Sequence, residues 1–102
     1  MQYKGIYKTA LFNQFDRLDN FYSCFYNELY NTSYIRQIET LINNGLTKIN
    51  KINNYKDLRY ISNELASSIT VWFIEVDHLI ETLTNVLEIA DYNVNDTLKY
   101  KD

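Results

Sequence analysis

The sequence predicts an all-α protein: an antiparallel helical bundle of three long helices, or four if the last breaks near Ser68, with coiled-coil-like packing. Three observations carry this expectation. The chain has no proline and only two glycines, Gly5 and Gly45, whereas sandwiches and barrels need turn residues far more often. Between positions 69 and 90, Ile69, Trp72, Val76, Leu79, Leu83, Val86 and Ala90 recur in steps of three and four. Phe73, Ile80 and Leu87 widen that stripe into a helix face that other helices must cover. Leu11, Phe15, Leu18, Tyr22, Phe25 and Leu29 repeat the same period near the N-terminus. With 102 residues there is enough chain for one core but not two, so 1–102 reads as a single domain.

Residues 1–7 show no period and contain Gly5, which makes them an N-terminal arm. The first helix runs from Lys8 to about Tyr30, with Phe12, Phe21, Tyr26 and Tyr30 flanking its stripe. Asp16, Asn20, Ser23 and Asn27 fall on the opposite side, as an exposed face should. Asn31-Thr32-Ser33 supplies a stop and a new N-cap. The second helix starts at Tyr34 and carries Ile35, Ile38, Ile42, Ile49 and Ile52 on one line. Gly45 falls on that line too, either as the cap of a short helix or as the gap that admits a bulky aromatic from the first helix. The unbroken register favours continuation to about Asn53, with a kink at the glycine. Asn53-Asn54 is the following turn.

From Tyr55 the pattern resumes at Leu58, Ile61 and Leu65 and joins Ile69 by two successive steps of four. That is a stutter in the heptad, and Ser67-Ser68 sits at it. An unbroken helix from 57 to 91 would be ~52 Å long, against a diameter of roughly 33 Å for a compact domain of this size. A kink or break near Ser68 follows. Residues 92–102 are polar and read as a frayed tail.

The one cysteine, Cys24, excludes an internal disulfide, and the N-terminus lacks the apolar run of a signal peptide. The longest apolar run, Val71-Trp72-Phe73-Ile74, is far too short to span a bilayer. A soluble, cytoplasmic protein without a membrane partner is expected. The net charge of -3 hides an asymmetry. Residues 1–59 carry eight Lys/Arg against five Asp/Glu, and residues 60–102 carry two against eight.

No catalytic pattern stands out. His78, the only histidine, lies ~160–200° from the core stripe at 100° per residue, as a plain surface histidine would. Glu75 precedes it at Glu-x-x-His spacing, but a di-metal bundle needs two such pairs. Cys24 is off its stripe too, beside Arg17 and Glu28; no base–nucleophile pair and no zinc-ligand cluster emerges. The glycines are too far apart for a phosphate loop. The chain is therefore expected to be no enzyme and to need no metal or cofactor.

Ile61-Ser62-Asn63-Glu64-Leu65-Ala66 followed by Thr70-Val71 resembles the DNA-reading helix-turn-helix. The usual turn glycine is Ala66 here, and the apolar residue expected next is Ser67. The reading helix would be apolar and acidic, where DNA contact needs Arg, Lys, Asn or Gln.

Two surface features remain. Asp77, Glu81, Glu88 and Asp91 form an acidic row along the last helix, which suits a partner protein with a basic surface. The plain alternative is a solvated face, or ion pairs to Lys48, Lys51, Lys56 and Arg59. Val71, Ile74 and Ile89 lie opposite the core stripe beside His78. Either the second helix or the arm covers them, or they form an interface, most simply that of a homodimer. Small helical chains of this composition occur among phage inhibitors, immunity proteins and regulatory subunits. The expectation is thus a non-enzymatic interaction module, phage- or mobile-element-encoded, that binds and inhibits or regulates another macromolecule. The alternative is nucleic-acid binding through Lys48, Lys51, Lys56 and Arg59, with Tyr55 among them and Tyr60 adjoining.

Overall fold

Three amphipathic stripes give three helices, and the computed structural model describes them over residues 2–87. Helix α1 is Lys4–Leu29, α2 is Tyr34–Asn53 and α3 is Asn63–Val86. Two-residue strands β1 (Gln2–Tyr3) and β2 (Tyr60–Ile61) pair antiparallel, Gln2 against Ile61 and Tyr3 against Tyr60. Apart from this ribbon the described chain is helical with short connections: it is all-α.

Each helix touches the other two, and the stripes meet in one core. Leu11, Leu18, Phe21 and Leu29 come from α1, and Ile38, Leu41, Ile49 and Ile52 from α2. Ala66, Ile69, Trp72, Val76, Leu79, Ile80 and Leu83 come from α3, and Ile61 plugs the core from β2. Trp72 is its largest fully buried side chain. Its indole Nε1 donates to the Leu41 carbonyl at 2.9 Å, so this polar atom is taken into the core with its hydrogen bond satisfied.

Gly45 explains how the indole fits. A Cβ there would lie 2.6 Å from Trp72 Cζ2 and 3.0 Å from Phe15 Cδ2. The glycine thus admits two aromatics, one from α1 as its position on the stripe predicts and a closer one from α3. α2 runs through this point as one helix, so the glycine serves close approach and not a cap.

The structure moves two boundaries. α1 starts at Lys4, inside the stretch read as an arm. The remaining arm is tied down: Lys4 N donates to the Arg59 carbonyl at 2.6 Å, and the Tyr3 and Tyr60 rings meet edge to face at 6.0 Å. The interruption expected near Ser68 is absent: α3 passes Ser67-Ser68 unbroken, and the turn expected at Asn53-Asn54 extends instead through residue 62. Local capping decides this. The Asp57 carboxylate accepts from Arg59 N at 2.8 Å and Tyr60 N at 3.2 Å, which turns the chain. Those two backbone donors, Arg59 first, hold the Asp57 carboxyl below its usual range. Its contribution to the turn is complete at neutral pH and is lost as pH falls through that lowered value. Ser62 then accepts from Leu65 N at 3.1 Å as the N-cap of α3, a contact worth about 1 kcal/mol. Leu58, read as part of the stripe, is 87% exposed in this turn, and Val86 at the other end of the stripe is also exposed. α3 is 24 residues, or about 36 Å.

Two further differences concern the helices themselves. α1 carries one non-helical residue, Phe25 (φ -117°, ψ 19°), with neither proline nor glycine nearby to announce it. The continuity of α3 across Ala66 and Ser67 removes the turn that a helix-turn-helix would need, which excludes that resemblance.

Candidate functional site

On α3 the core stripe leaves a second line on the far side: Ser67, Val71, Ile74, His78, Glu81 and Asn85, again in steps of four and three. All six are exposed. Val71 is 54% and Ile74 62% accessible; neither α2 nor the N-terminal segment covers them among the described residues. Val71 and Ile74 are thus left open at the middle of the helix, outside the core cluster. His78 continues the line, as its angular position predicts. Ile89, the fourth residue expected there, lies outside the described residues.

Between this line and α2 lies a cleft of about 430 Å³, lined by Arg36, Gln37, Thr40, Leu41, Asn44, Glu75, His78 and Leu79. Leu41 and Leu79 are nearly buried and form its apolar floor. Glu75 and His78 belong both to the cleft and to the open face, so the two are continuous.

The acidic row divides. Asp77 forms an ion pair with Arg17 of α1 and accepts from Gln14 Nε2 at 3.1 Å, while Gln14 also reaches the Phe73 carbonyl at 3.4 Å. The cation therefore comes from α1 and not from Lys48, Lys51, Lys56 or Arg59. With both side chains partly in water, the pair is worth at most about 1 kcal/mol. Glu81 is exposed and has no ion pair among the described residues. Glu88 and Asp91 lie outside them.

The basic segment is spread out. Lys48 is half-buried on α2, and Lys51 and Tyr55 line a second cleft, of about 640 Å³, together with Ser62 and Glu64. Lys56 and Arg59 sit in the 54–62 connection, where the Arg59 guanidinium lies 5.5 Å from the Tyr60 ring centre. A phosphate backbone would meet Glu64 beside Lys51, which weakens a phosphate-tracking groove.

Cys24 and His78 are both exposed, on α1 and α3 respectively. Among the described residues no group of three His, Cys, Asp or Glu side chains could hold a metal ion. No helix there is long and apolar enough to cross a membrane. One feature escaped the sequence analysis: Tyr22, Tyr26 and Tyr30 form a ladder on α1 with ring centres 5.4 and 5.7 Å apart. Tyr22 Oη donates to Glu39 of α2 at 3.0 Å. Desolvation first and then the Glu39 carboxylate push this phenol above its ordinary value. The four-residue spacing was visible in the sequence, but tyrosines beside a core stripe read there only as its flank.

No protein-family model, curated protein or solved structure matches this chain. Its functional reading therefore rests on its own surface chemistry.

Proposed function

We propose that this chain is a non-enzymatic interaction module that docks another macromolecule on the outer face of α3 and thereby inhibits or regulates it. The observation that carries the proposal is the exposure of Val71 and Ile74 at the centre of a long helix, continuous with an apolar-floored cleft. Exposed apolar patches framed by polar residues mark interaction sites.

The scaffold we propose is an antiparallel three-helix bundle with coiled-coil-like packing. The pairs Phe15 with Gly45 and Tyr22 with Glu39 support opposite directions for α1 and α2. Gly45 with Trp72 supports the α2–α3 contact, while Gln14 with Phe73 and Arg17 with Asp77 support α1 and α3 running the same way. Such a frame holds α3 rigid along its inner stripe and leaves the outer one free.

Photo-crosslinking in the expressing cell tests the proposal. A benzophenone side chain at position 74 should give a discrete adduct heavier than the chain. The same group at position 27, on the exposed side of α1, should not. Equal labelling from both positions, or an adduct that stays at the mass of one chain, contradicts the proposal.

A further inference from the structure

We infer that the occupant of the α3 outer face is a basic amphipathic α-helix and not a second copy of this chain; the inference rests on the docking reading above. Three features of the face point there. The line Ser67, Val71, Ile74, His78, Glu81, Asn85 has the four-three spacing along which a second helix can lie. The adjoining cleft, about 430 Å³ with Leu41 and Leu79 at its floor, is roomy enough to take a large apolar side chain from that helix.

Charge decides the partner. From Asn63 to Val86 the helix carries Glu64, Glu75, Asp77 and Glu81 and neither Lys nor Arg. Arg17 answers Asp77, but Glu75 and Glu81 have no ion pair among the described residues. A two-fold contact centred on Ile74 would set each copy's Glu75 and Glu81 in one interface with no Lys or Arg of α3 to offset them. A partner helix with Lys or Arg beside its apolar line meets the same carboxylates with opposite sign. Arg36 on the α2 wall of the cleft adds polarity: the basic flank of the partner lies over α3, its uncharged or acidic flank over α2.

Fluorescence anisotropy on the full chain tests this with two labelled helical peptides. Both carry leucines in four-three spacing; one has lysines at the flanking positions and the other has glutamates. The lysine peptide should bind saturably, and its affinity should fall about tenfold as salt is raised through the range that screens surface charge. Val71→Gln/Ile74→Gln should weaken it by roughly tenfold or more, and Glu75→Lys/Glu81→Lys should reverse the preference toward the glutamate peptide. Equal binding of both peptides, or undiminished binding to Val71→Gln/Ile74→Gln, overturns the inference. So does a wild-type dimer in sedimentation that this double variant dissolves, because the occupant is then a second copy. A heavier adduct from position 74 with no binding of either peptide refutes the basic helix alone. Failure of both experiments refutes the docking face itself.

Discussion

Trp72→Ala should lose about 3–5 kcal/mol of stability in urea unfolding, the range for removing a large buried aromatic. The indole is 1% exposed and sits in a core built from all three helices, so the cavity left behind cannot be filled by a small shift of one neighbour. It also loses the bond from Nε1 to the Leu41 carbonyl. Trp72→Phe separates the two terms. It keeps most of the volume but not the donor, and the hydrogen-bond part is about 1 kcal/mol. A loss below about 1 kcal/mol for the alanine variant would mean that the stripe of α3 faces the wrong way.

Gly45→Leu should be the second severe substitution, and its sign runs against helix propensity. Leucine in place of glycine gains about 1 kcal/mol in an exposed helix. Here the first added carbon already falls 2.6 Å from Trp72 Cζ2, and the indole is held by its bond to Leu41 O. Overpacking costs about 1–3 kcal/mol, and with two aromatics against the site the upper end applies, which leaves a net loss of about 2 kcal/mol. Thermal or urea melts check this, and a net gain would show that neither Phe15 nor Trp72 packs against α2 at this point.

These two residues also show what the sequence could disclose. Periodicity is a property of burial, so the α2 boundaries, the core membership of Leu11, Ile38, Ile69 and Trp72, and the close approach of an α1 aromatic at Gly45 were readable; the nearer contact there, Trp72 of α3, was not. The interruption at 54–62 was not, because Leu58 and Ile61 keep the spacing of a stripe while Asp57 and Ser62 end and restart the helix by side-chain capping. Two-residue pairing of Gln2–Tyr3 with Tyr60–Ile61 has no period at all. At the surface, the angular position of His78 gave its exposure, whereas that of Val71 and Ile74 put them opposite the stripe without deciding between cover by another segment and an open face. The Arg17–Asp77 pair was hidden, since linear order says nothing about which helix flank meets α3. The tyrosine ladder was hidden for the opposite reason: its spacing also fits a core.

On the proposed function, α3 has an inner face for folding and an outer face for a partner. Urea unfolding of Ile74→Gln tests it most directly. Glutamine is a good helix former, and a substitution at a surface position away from structural contacts changes stability by no more than about 0.5 kcal/mol. The wild-type midpoint and slope should be retained within that margin. A loss of several kcal/mol, like that of Trp72→Ala, would place Ile74 in the core and leave α3 no free face to offer.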